Sequence, residues 1–165
     1  DLTEVLCSTH AVKFYRHQDV IDYRARRPDV RCYTMRSQGE GGGTDGVMTL
    51  ENGQDYGLCR TPGSIAFGKN SGNSALNVAW HELKEPRRGS RVILLGYDMR
   101  RVDGKSHAHR DEPTTPEWQY KNFFAPSFID IAQELEDEGI EVWNCTPGSE
   151  LQVFPQADLR DVLKA

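Results

Sequence analysis

What this chain lacks narrows its identity first. No apolar run approaches the ~20 residues that a membrane-crossing helix needs, so no span is expected. The first residues do not have the charged, apolar and small-residue order of a secretory signal. Four cysteines, Cys7, Cys32, Cys59 and Cys145, include no C-x-x-C pair and no zinc-ligand spacing. They read as small buried thiols, which suits a reducing compartment. Positive charge is also short: 20 basic against 25 acidic residues leave a net charge of −5. That argues against a broad nucleic-acid footprint. The basic clusters Arg24-Ala25-Arg26-Arg27 and Arg87-Arg88 read as solvated ends of elements, whereas Arg100-Arg101 follows a polar corner and is kept as a phosphate candidate. Hydrophobic content is only 37%, so generous loops are expected. A cytoplasmic protein is the expectation, in a bacterial host if a phage encodes it.

A chain of 165 residues suits one domain. Its organising stretch is Phe67-Gly68-Lys69-Asn70-Ser71-Gly72-Asn73-Ser74, a loop of small polar residues opening into a helix. Leu76, Ala79, Trp80 and Leu83 recur at one-face helical spacing from about Ser74 to Lys84. The run Arg91 to Tyr97 then has strand length, both of its faces expected to be covered, and ends at Asp98. Ser71 or Asn73 is the expected helix cap. Gly68 and Gly72 would let the backbone approach a ligand, and amides at such a helix start attract phosphate. An ordinary Walker A site is rejected, because Asn70 stands where Gly63-x4-Gly68-Lys69 needs Ser or Thr for magnesium.

In chain order, Leu2 to Cys7 reads as a strand, His10 to Arg27 as a helix with Val12, Tyr15, Val20 and Ile21 as its stripe, and Val30 to Met35 as a second strand. A right-handed crossover makes those strands parallel. Residues 37–61 read as a glycine-rich loop or hairpin excursion from the sheet, with Val47 to Leu50 as a short strand and Glu51 to Gln54 as a turn. Ser64 to Phe67 is a short strand. Between Met99 and Gln119 the sequence is polar, and His107, His109 and Asp111 alternate along it. They read as a solvent loop first and as a divalent-ion site, with Asp98, second. A helix from Pro126 or Ser127 to Glu138 buries Phe128, Ile131, Ala132 and Leu135, and Gly139 stops it. Ile140 to Trp143 is the last strand, running into the polar turn Asn144-Cys145-Thr146-Pro147-Gly148-Ser149. Asp158 to Lys164 closes the chain as a short helix.

Three motifs in order resemble one superfamily: Gly68-Lys69-Asn70-Ser71-Gly72-x-x-Ala75, Leu94-Leu95-Gly96-Tyr97-Asp98-Met99, and Asn144-Cys145-Thr146-Pro147-Gly148-Ser149-x-Leu151-x-x-Phe154. The superfamily includes proteins resembling the archaeal 6-hydroxymethylpterin diphosphokinase, common in phage genomes. It also includes the bacterial CMP-sialic-acid-dependent sialyltransferases and flagellin-glycosylating accessory factors. The resemblance implies an α/β, Rossmann-like three-layer sandwich with a mostly parallel sheet and a nucleotide or nucleotide-sugar donor. Carried over by position, it implies a nucleotide site at Asn70, Ser71, Gly72, Thr146, Pro147, Gly148 and Ser149. Phage relatives also share the His-x-His element, here His107 and His109. The chain departs from the pattern twice: it has no opening strand with a Gly-x-Gly-Pro-Ser-like turn, and Tyr120 to Pro126 holds no histidine. An N-terminal strand is therefore expected to be missing.

The first functional reading is a transferase with a nucleotide-activated donor, in the manner of a glycosyltransferase. His107 or His109 would be the base, Asp98 would orient a basic group or a metal, and Arg100 and Arg101 would offset phosphate charge. Magnesium-dependent diphosphate transfer from ATP is the second reading. A non-catalytic nucleotide-binding or phage assembly module, with protein partners or a second copy of itself, is the third.

Overall fold

Parallel strand pairing organises the protein, as a computed structural model shows; residues 5–8, 16, 18–35, 45–106 and 115–164 are described. The class is α/β, with helices alternating with short parallel sheets. The chain divides into two compact units, residues 1–55 with 59–82 and residues 56–58 with 83–165. No helix among the described residues is long and apolar enough to cross a membrane.

The first unit holds β1 (Val5–Ser8), α1 (Gln18–Arg26), β2 (Arg31–Met35), β3 (Met48–Gln54), β4 (Ser64–Ala66) and α2 (Ser71–Glu82). Its sheet runs β1-β2-β3-β4, every pair parallel. Val30 and Cys32 form one small core, onto which Val20 and Tyr23 of α1 pack with Val47. Ile21, expected in the buried stripe, is exposed, while Val12 and Tyr15 lie outside the described residues. Tyr33, Met35, Ile65 and Val78 form a second core with Leu50 and Phe67.

β3 corrects the reading of 37–61 as an excursion. Residues 48–54 are a sheet strand between β2 and β4, and Glu51 to Gln54 continues it rather than turning. Only Leu50 of this strand is partly covered. Met48 to Leu50 is strand as expected; polarity concealed the second half, which a backbone ladder on both sides holds whatever its side chains prefer. Gly53 sits at an irregularity of the β3–β4 register, where a Cβ would lie 2.4 Å from the Cys59 Sγ.

The second unit holds β5 (Arg91–Leu94), a helical turn α3 (Glu117–Gln119), α4 (Ile129–Asp137), β6 (Glu141–Asn144) and α5 (Leu159–Val162). A π-helical turn over Tyr120–Phe124 and a 3-10 turn over Pro126–Phe128 join α3 to α4. β5 and β6 pair in parallel, Val92 opposite Val142. Phe128, Ile131 and Leu135 are buried as the apolar spacing predicts, and Phe128 meets Tyr97 and Phe154 edge to face at 5.9 and 6.2 Å. Full coverage of β5 is not observed: Val92 and Ile93 are half-buried and Leu95 is exposed. Among the described residues β6 is its one ladder partner, so an apolar run here marks length and strand type rather than a central place. Asp158 caps α5 by accepting the Arg160 amide at 2.8 Å.

Candidate functional site

Within the second unit, the chain leaves the C-terminal ends of β5 and β6 on the same side, because the two strands are parallel. That is the rim where open α/β sheets place ligands. Two loops meet there. The Tyr97 amide donates to the Thr146 hydroxyl at 2.9 Å, and the Glu150 amide donates to the Asp98 carbonyl at 2.8 Å. Arg100 Nε donates to the Gly148 carbonyl at 2.7 Å, and Arg101 Nε to the Thr115 carbonyl at 3.1 Å. The second and third sequence motifs are therefore brought together, with Asp98, Arg100 and Arg101 all half-buried beside them. Met99, in the middle of that corner, has φ +51, a left-handed conformation that is uncommon away from glycine.

The polar groups of the third motif turn inward. Asn144, Thr146 and Ser149 are buried, whereas Pro147 and Gly148 are exposed. Asn144 Oδ1 accepts the Thr146 amide at 3.1 Å while its Nδ2 donates to the Ser149 hydroxyl at 2.8 Å. That hydroxyl also accepts the Leu151 amide at 3.1 Å and donates to the Tyr97 carbonyl. One donor and two acceptor positions are all that a serine hydroxyl offers, so Ser149 is fully engaged in holding the two loops together. Among the described residues of this rim, the Pro147-Gly148 tip is exposed, and Asp98 and the arginine pair are half-buried.

A third segment reaches the rim. Tyr120, buried in the π-helical turn, donates from its hydroxyl to the Ser106 carbonyl at 3.0 Å, and the Thr115 amide donates to the Ser106 hydroxyl at 3.0 Å. Burial raises the Tyr120 phenol above its ordinary pKa; Glu117 and Asp98 add to the rise, and Thr115 and Arg101 oppose it. Lys121 Nζ lies 3.9 Å from a Glu150 carboxylate oxygen. His107, His109 and Asp111 fall outside the described residues. Asp98 is thus the one expected metal ligand whose position is described, and no group of three or more His, Cys, Asp or Glu among the described residues could hold a metal.

Asn70, Ser71 and Gly72 belong to the first unit, at the start of α2. The cap is Asn70, not Ser71 or Asn73. Its Oδ1 accepts the Asn73 amide at 2.9 Å, three residues on, and its Nδ2 donates to the Gly68 carbonyl at 2.9 Å. Gly68 (φ +60) answers to a neighbour rather than to a ligand, since a Cβ there would lie 2.1 Å from the Asn73 side chain. Ser71 is exposed and Gly72 half-buried.

The apolar stripe of α2 left its polar face unread. Asn73, Ser74 and Asn77 are wholly buried. Asn77 Oδ1 accepts the amides of Cys59 at 2.9 Å and Ala66 at 3.2 Å, and His81 Nε2 lies 3.0 Å from the Ser64 carbonyl. Ser64 and Ala66 present their backbone groups away from β3, because the neighbouring Phe67 amide donates toward it, to Gln54. Side chains of α2 therefore satisfy the edge of β4 where another strand would otherwise pair. The signal was present in the sequence as Asn73, Asn77 and His81 at four-residue intervals.

Comparison with protein-family models, curated proteins and solved structures found no match.

Proposed function

We propose that the chain is a Rossmann-like three-layer domain that takes a nucleotide-activated donor and transfers its activated group to a hydroxyl acceptor, as a glycosyltransferase resembling the sialyltransferases does. The observation that supports this most is the joined rim at the ends of β5 and β6, where Arg100 is pinned to the Gly148 carbonyl beside Asp98 and Arg101. In this reading the donor phosphate lies against the arginine pair and the Pro147-Gly148 tip, the arginines offset charge as the leaving group departs, and His107 or His109 removes the acceptor proton. Asn70, Ser71 and Gly72, at the start of α2 in the first unit, are the further nucleotide-binding candidates that the resemblance implies. The donor is a nucleotide or nucleotide sugar, and a divalent metal near Asp98 belongs to the diphosphate-transfer variant of this reading.

The inward-turned third motif favours a second reading, a non-catalytic nucleotide-binding or phage assembly module. Thr146 and Ser149 spend their hydroxyls on the fold, which leaves fewer side chains for chemistry than the resemblance implies. The two readings separate on one experiment. Thermal shift with CMP, UDP, GDP and ATP, each with and without magnesium, reads binding to the folded state. Turnover assays with the sugar-linked forms of whichever nucleotide binds then read transfer. Binding with transfer supports the enzyme; binding without it supports the module. No stabilisation by any of the four overturns the transferase and the nucleotide-binding module alike and favours the assembly module.

A further inference from the structure

A groove of about 610 Å³ lies in the second unit along the outer side of β6, between α4 and residues Val153 to Pro155. It is away from the β5 side of the strand and has no part in the rim described above. Its floor is an open strand edge. The Glu141 and Cys145 amides donate toward β5, to Ser90 and Leu94, whereas the Asn144 amide donates the other way, to Pro155. Strand amides alternate in direction, so the N–H and C=O of Val142 face the same side as those of Asn144. At Asn144 that side is filled: Gln156 forms a parallel bridge with it, and the Ala157 amide donates to the Asn144 carbonyl. Two residues earlier the returning chain turns away, and Val142 has no backbone partner on that side among the described residues. Val142 is itself buried, at 7% exposure. A strand-edge N–H and C=O without a protein partner is a ready template for pairing with another chain.

The geometry points to an extended peptide segment of a partner protein as the occupant of this groove, added in parallel or antiparallel fashion to the open edge at Val142. The lane beside β6 already accepts backbone at residues 155–157, so its spacing is that of a strand. The lining is mixed: Ile129 (58% exposed), Ala132 and Phe154 are apolar, and the exposed Glu136 adds a negative charge. Apolar residues at every second position, with a basic residue opposite Glu136, match that lining. Backbone pairing supplies the affinity and the alternating side chains the specificity.

Selection of random dodecapeptides displayed on phage against the intact chain, counter-selected with Ala132→Trp, tests this. The expected pool alternates apolar with polar positions and carries a basic residue. The best synthetic member slows hydrogen exchange at the Val142 amide. N-methylation of its edge-facing amides weakens binding at least about tenfold, and Glu136→Lys weakens it too. The N-methyl comparison uses unaltered protein, so it stands even if Ala132→Trp fails to fold. The proposal is overturned if no peptide is enriched, if N-methylation leaves affinity unchanged, or if Val142 exchange is unaffected in the complex. Slowing of that exchange by self-association alone, with no peptide enriched, would also overturn it and would make a second copy the occupant.

Discussion

Asn144 and Ser149 are joined side chain to side chain, the amide donating to the hydroxyl across 2.8 Å in a buried setting. Through that hydroxyl the turn after β6 is tied to the Tyr97 carbonyl in the loop after β5. Serine at this position therefore acts first on the shape of the rim and only through that shape on any ligand.

Ser149→Ala leaves the Asn144 amide and the Leu151 amide short of an acceptor. Such losses cost about 1–3 kcal/mol per buried group, so the expected destabilisation is about 2–4 kcal/mol, read from the midpoint of urea unfolding. Ser149→Thr, which keeps the hydroxyl, is expected to recover part of it. An unchanged midpoint for Ser149→Ala would mean the hydroxyl is not holding the loops together.

Asn77→Ala removes the acceptor of two backbone amides, Cys59 and Ala66. A loss of about 2–5 kcal/mol is expected, together with faster hydrogen exchange at Ala66. Were exchange at Ala66 unaltered, α2 would not be satisfying the edge of β4.

Asn70→Ala separates cap from ligand group. Loss of an N-cap costs about 1 kcal/mol, whereas Asn70→Asp keeps the capping oxygen but not the donor to the Gly68 carbonyl, so a partial recovery of stability is expected. A nucleotide whose binding falls in Asn70→Ala but recovers in Asn70→Asp is sensing the cap, not the amide.

Arg100→Ala tests the proposed phosphate contact. Nucleotide affinity is expected to fall at least about tenfold, or about 1.4 kcal/mol, and to fall less in Arg100→Lys, which keeps the charge but loses the planar donor fork. Isothermal titration with the nucleotide selected by thermal shift gives the measurement. Equal affinity in all three proteins would remove Arg100 from the site.

Tyr33 carries a pH signature. Burial, and then its hydrogen bond to Glu82, raise its phenol to about 12. The raised value means the folded state holds the proton more tightly than the unfolded chain, whose phenol titrates near 10. The resulting stability is fully present below pH 10 and is lost as pH rises toward 12. Tyr33→Phe is expected to flatten unfolding midpoints measured across that window. A slope that persists in the variant would assign it to other groups.

The legible parts of the chain were those whose local pattern and tertiary fate agree. Phe128, Ile131 and Leu135 repeat at helical spacing and are buried on one helix face. Ser64 to Ala66 and Glu141 to Asn144 combine short apolar or β-prone runs with flanking turns, and both are strands. The rim was legible in part: the polar corners after β5 and β6 stood out, but not the direction in which Thr146 and Ser149 point. β3 was legible only in its first half: Met48 to Leu50 falls within the expected Val47–Leu50 strand, whereas Glu51, Asn52 and Gln54 have neither alternation nor β preference and owe their strand to neighbours on both sides.

From residue order alone follow the α/β class, the helix faces and the places where polar turns end apolar strands. These depend on spacing within a few residues, which the chain carries with it. Only the tertiary structure decides that Asn70 rather than Ser71 caps α2, that Asn77 and His81 close the edge of β4, that Ser149 spends its hydroxyl inside the protein, and that Val142 is left facing a groove. Each is a contact or a gap set by backbone pairing and packing, and partners distant in sequence leave no local pattern to read.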